Sequence, residues 1–99
     1  MFYVNIINSY RYVVAVCDKE LLGKVFESEK FQLDIKESFY KGKEVSEEEL
    51  LEIMSKMAAE DATFNIVGKK SVNTALKAEL ITEDGIKDIR GVPFALVLI

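Results

Sequence analysis

Tyr10-Arg11-Tyr12-Val13-Val14-Ala15-Val16-Cys17-Asp18-Lys19-Glu20 is the stretch on which the fold turns. Residues 13–17 are apolar in succession, without the alternation of a strand that wets one face. A short, mostly β-branched run closed by a charged cluster fits a strand buried on both faces, hence a central one. Upstream, Phe2-Tyr3-Val4-Asn5-Ile6-Ile7 is again β-branched and aromatic. Asn8-Ser9 between the two runs are turn formers, which predicts a β-hairpin.

Downstream, residues 25–27 and 31–35 read as two short strands around Ser28-Glu29-Lys30. In the second, Phe31, Leu33 and Ile35 share one face and Gln32 and Asp34 the other. Phe39 and Tyr40, beside Lys41-Gly42-Lys43, are expected to plug the core edge before a turn. Ser46 with Glu49 makes a capping box, and Glu47 and Glu48 suit the positive end of a helix dipole. That helix should run to about residue 60, with Leu50, Met54, Met57 and Ala58 on its apolar stripe and Leu51 and Ile53 widening it. Residues 62–68 read as a connector, extended at most over 64–67. A second helix is expected from Lys69 or Ser71 to Leu80, carrying Val72, Ala75, Leu76, Glu79 and Leu80 at helical spacing. Residues 82–85 form a turn and residues 86–90 a short strand. Gly91-Val92-Pro93 makes a bend, and residues 94–99 make a last strand whose wholly apolar sequence predicts burial.

Strands segregated from helices in this way imply an α+β fold: a mainly antiparallel sheet of about five to six strands, with two helices packed on one face. Residues 1–99 are expected to form a single domain. Strands from the two ends of the chain could pair and tie the termini down.

The chain of 99 residues has no histidine and one cysteine. Ser-His-Asp and Cys-His catalysis are excluded, and one thiol cannot build a zinc site, so no catalytic set, metal or cofactor is expected. A net charge of −4 opposes generic phosphate-driven binding, and no DNA partner is expected. The unpaired Cys17 suits a reducing compartment. The N-terminal residues lack a basic, then apolar, leader, and no run approaches the ~20 apolar residues of a membrane helix. A cytoplasmic location away from membranes is the expectation.

Asn65-Ile66-Val67-Gly68-Lys69-Lys70-Ser71 is the most suggestive stretch: an extended segment, a glycine, two lysines and a helix start. Free N–H groups and the dipole at such a start favour an anion. It is not a Walker A loop, because Thr63 stands where the first glycine belongs and Lys70 where Ser or Thr must follow the lysine. The structural alternative is a turn at Gly68, a cap at Ser71 and solvated lysines. Arg90, before the glycine and proline of the bend, is a further candidate for contact with an anion or partner. Cys17 lies beside Asp18 and Glu20, which oppose thiolate, so a buried structural role is expected. The carboxylates of residues 47–49 and of Glu83 and Asp84 are better explained by capping and turn formation than by acid–base work or magnesium.

Several blocks together resemble a known family: Val16-Cys17-Asp18 with Leu21-Leu22-Gly23-Lys24, Phe39-Tyr40 with Gly42, Val45-Ser46-Glu47-Glu48, Asn65-Ile66-Val67-Gly68 with Val72 and Ala75, and Gly91-Val92-Pro93. The chain is similar to the archaeal domain-of-unknown-function family number 424. The resemblance implies a small, cytoplasmic, single-domain α+β protein and supplies no catalytic or ligand residues. In one departure, Phe94 stands where the family leads one to expect a polar residue, often histidine.

The expected function is that of a non-catalytic binding or assembly module, with a protein, RNA or the ribosome as partner. Its contacts would lie at Asn65, Gly68, Lys69, Lys70, Ser71 and Arg90, and a role in translation follows only from association at the level of fold class. The alternative is a small enzyme or sensor that binds a phosphorylated ligand at the same helix start. A homodimer joined by edge strands is a third possibility.

Overall fold

The computed structural model describes residues 1–98. Strand β1 (Phe2–Asn8) turns through Ser9-Tyr10-Arg11 into β2 (Tyr12–Asp18) as the expected antiparallel hairpin. Strands β3 (Val25–Glu27) and β4 (Gln32–Asp34) make a separate two-stranded sheet. A short helix α1 (Glu37–Tyr40) and strand β5 (Lys43–Val45) lead to the long helix α2 (Glu47–Ala59). Strand β6 (Thr63–Val67), helix α3 (Lys69–Lys77), β7 (Lys87–Ile89) and β8 (Val92–Val97) complete the order.

The main sheet has six strands in the order β5-β1-β2-β6-β8-β7, and only β2 and β6 run parallel. The mainly antiparallel α+β expectation therefore holds, and β2 is central as its sequence requires. Val14 and Val16 face α2 and α3, while Ala15 and Cys17 face the other side, all four fully buried. Leu50, Met54 and Met57 of α2 and Val72 and Ala75 of α3 join one core with Phe2, Val4, Phe64 and Ile66. Both long helices thus cover one face of the sheet. The Ser46 hydroxyl accepts from Glu49 N–H at 3.2 Å and starts α2 as the capping box predicts.

Four readings are corrected. Residues 62–68 are no mere connector, since β6 is a central strand whose Phe64 and Ile66 are fully buried. With β2 and β6 between them, the strands from the two chain ends, β1 and β8, do not pair. The expected bend at Gly91-Val92-Pro93 lies earlier, at Arg90 and Gly91, because Val92 and Pro93 already belong to β8 and pair with Ile89 and Asp88. Helix α3 stops at Lys77: Glu79 takes φ +58°, and Leu80 N–H closes back onto Ala75 O, so the polar member of the expected stripe lies outside the helix.

A second core lies on the opposite face, where α1, β3 and β4 pack Ile35, Tyr40, Leu33 and Phe26 against Tyr3, Cys17, Val67 and Phe94. This cover is partial. Strand registers place three rows on that face: Tyr3, Cys17, Val67, Phe94; then Asn5, Ala15, Asn65, Leu96; then Ile7, Val13, Thr63. The first row and Ala15 are covered, whereas Ile7, Val13 and Thr63 belong to neither core. The expected burial of the last strand fails here, with Leu96 55% and Leu98 74% exposed. The cause is a covering layer shorter than the strands beneath it. Ile99, the last residue of that expected strand, lies outside the described residues.

Candidate functional site

Parallel pairing of β2 with β6 aligns Cys17 with Val67, so Asp18 and Gly68 leave the sheet side by side. Gly68 is the turn between β6 and α3 and has φ +110°, a backbone that side chains rarely adopt. A Cβ there would also lie 2.3 Å from Asp18 Cγ. The space is filled by the Asp18 carboxylate. Its Oδ2 accepts from Lys70 N–H at 3.1 Å, and its Oδ1 accepts from both the N–H and the hydroxyl of Ser71 at 2.7 Å. Gly68 has no side chain to cap α3, so Asp18 caps it from the neighbouring strand.

The helix start is thus satisfied from within the protein. An outside anion would have to displace a buried, triply bonded carboxylate or sit beyond it. Ser71, fully buried, donates its hydroxyl to Asp18 instead of capping the helix itself. Among the described residues no buried side-chain nitrogen or oxygen lacks a partner. Beside the corner lies a hollow of about 230 Å³ lined by Leu21, Val92, Pro93 and Gly91, with Asp18, Glu20, Lys69 and Lys70 at its rim. Lys70 Nζ lies 3.6 Å from Glu20, an exposed pair. The Glu20 carboxyl is held below its ordinary range, first by a hydrogen bond to its own main chain and then by Lys70. Two acids balance two lysines here, which is not the field of a phosphate cradle.

The sequence candidates separate in space. Gly68, Lys69, Lys70 and Ser71 meet at the corner. Asn65 lies on the partly covered sheet face, beside Leu96. Arg90 sits in the β7–β8 turn with φ +52°, followed by Gly91 with φ +83°, the left-handed pair that a two-residue hairpin turn requires. Asp88 Oδ1 fixes the turn by accepting from Gly91 N–H at 2.9 Å. Arg90 lines a different, open hollow of about 670 Å³ with Val25, Glu27, Ser28 and Glu29. It is an open trough away from the corner.

Asp18 is the residue that sequence reasoning missed as a site member. The signal was present, an acid ending a central strand, but the strand order that brings it to Gly68 was not legible. Cys17 is fully buried, and its thiol is pushed up to about 12, chiefly by burial and then by Asp18. Phe94 packs edge-on against Phe31 at 5.9 Å, so at this position the chain has an apolar contact.

The model of a family described as a protein of unknown function (DUF424) matches residues 7–99. The chain belongs to this family. A crystal structure of an uncharacterized conserved protein from Methanopyrus kandleri superposes on this DUF424 chain with a TM-score of 0.84 and 26% identity. The match covers 97% of this chain and 89% of that one. No curated protein matches the chain. Among the described residues, no helix of the DUF424 chain is long and apolar enough to cross a membrane.

Proposed function

We propose that this protein is a non-catalytic binding module for another protein. The observation that carries the reading is the bare end of the sheet face opposite α2 and α3. Leu96 stands exposed there, sharing a hollow with Phe31, 49% exposed, and the partly exposed Ile7 and Val13 lie on the same face. Exposed apolar side chains gathered on one face in this way mark interaction sites. A protein partner is favoured over RNA because Lys69 and Lys70 share their hollow with Asp18 and Glu20, and Arg90 lies apart from them.

The test is a tagged pull-down from an archaeal lysate, with and without RNase, comparing the native chain with Leu96→Glu and with Lys69→Glu/Lys70→Glu. A discrete partner that survives RNase, is lost with Leu96→Glu and is kept by the double lysine variant supports the reading. Recovery of ribosomal proteins that needs intact RNA and fails with the lysine variant would replace it with the RNA reading. A partner kept by Leu96→Glu would move the contact away from the bare sheet face.

A further inference from the structure

We propose that the outer edge of β8 accepts an extended segment of another protein as an added strand, with a carboxylate of that segment meeting Lys87. The inference rests on the protein-binding reading and specifies how the partner is held. Gly68 N–H donates to Pro93 O at 2.8 Å, so Pro93, and with it Ala95 and Val97, turn their main-chain groups towards β6. Phe94 and Leu96 turn theirs the other way. On that side β7 pairs Val92, Pro93 and Phe94 and stops. Among the described residues no strand lies beside Leu96, although β6 still pairs with β8 as far as Val97.

There is room for a strand. Two hollows, of about 470 and 320 Å³, flank the edge and share Leu96 and Gly85. Phe31, Phe94 and Leu96 wall the first, and Leu80, Ile81 and Leu98 the second. An added strand places alternate side chains on opposite faces, so these walls would receive them in turn. An unpaired main chain selects another main chain as its partner.

Charge and size narrow the occupant. Lys87 is exposed at the mouth of the first hollow and has no ion pair among the described residues, which favours an acidic side chain in the segment. A stable pair of globular copies needs roughly 20–30 residues a side. The bare end offers only a handful, which suits a peptide strand better than a second copy.

The experiment selects short random peptides displayed on phage against the intact protein, then follows a synthetic hit by amide hydrogen exchange and NMR. In the free protein the Leu96 amide should exchange freely, while those of Ala95 and Val97 are protected. A bound peptide should slow Leu96 exchange about tenfold or more, and Lys87→Glu should weaken binding about tenfold. Hits that leave Leu96 exchange unchanged, or an empty selection, overturn strand addition. The pull-down comparison with Leu96→Glu then decides separately whether the protein-binding reading stands. A concentration-dependent dimer by light scattering that Leu96→Glu abolishes would assign the edge to a second copy and overturn the proposal.

Discussion

The Asp18 carboxylate accepts both the main-chain N–H and the hydroxyl of Ser71 at 2.7 Å, across fifty-three positions of chain. This joint fastens the end of β2 to the start of α3, and with Lys70 N–H it leaves the corner satisfied. Removing it strands buried donors. Asp18→Ala should cost about 2–3 kcal/mol of folding stability, and Asp18→Asn about 1, because the amide keeps one acceptor. Urea unfolding measures both. A loss below a few tenths for Asp18→Ala would show that water replaces the carboxylate without penalty.

Gly68 and Asp18 are coupled sterically as well. Gly68→Ala meets two costs, a backbone at φ +110° and a Cβ placed 2.3 Å from Asp18 Cγ. The variant should lose about 3 kcal/mol or more. In an Asp18→Ala background only the backbone part remains, so the double variant should be more stable than the sum of the single losses implies. Strict additivity in the cycle would remove the steric explanation.

Alkaline pH should destabilise the fold through two buried acids. Burial, reinforced by Asp18, raises the Cys17 thiol from 9.0 to about 12, and burial raises the Tyr40 hydroxyl from 10.0 to about 12. Between the unfolded and folded values the unfolded chain has lost a proton that the native chain keeps. Stability is therefore full below pH 9 and falls as pH rises towards 12, by at most about 1.4 kcal/mol per pH unit for each group. Cys17→Ala should flatten the fall that begins near pH 9, read from denaturant titrations across that range. The native thiol should also resist iodoacetamide at neutral pH until the protein is unfolded.

The residues that encode local structure were legible, and those whose role depends on strand order were not. Residues 13–17 announced a strand buried on both faces, and Ser46 with Glu49 announced the start of α2, because each signal lies within one element. β6 is short, and the alternation of Thr63-Phe64-Asn65-Ile66 indicates a strand without indicating that it is central. Its central place comes from pairing with β2 and β8, which are distant in sequence. The corner reads as a helix start after glycine, yet its occupant is hidden in the sequence. Asp18 reaches it only through the parallel β2–β6 pairing. The exposure of Leu96 was likewise invisible, since an apolar strand announces burial and only the short covering layer withholds it.

Both long helices end with a carboxylate residue in the left-handed region, Asp61 at φ +57° after α2 and Glu79 at φ +58° after α3. In each, the next N–H bonds back to a carbonyl five residues earlier: Ala62 to Met57 and Leu80 to Ala75. Glycine is the usual residue at this position because the left-handed backbone costs other residues about 1–2 kcal/mol. Asp61→Gly and Glu79→Gly should each raise stability by about 0.5–1 kcal/mol, the gain being smaller at Asp61 because aspartate tolerates this backbone better. Each change also removes a negative charge from the negative end of a helix dipole, worth a few tenths on an exposed site. Glu79→Ala separates the two contributions, since it removes the charge and keeps the strained backbone. If it stabilises as much as Glu79→Gly, charge rather than backbone sets the cost; the expected result is a gain of only a few tenths.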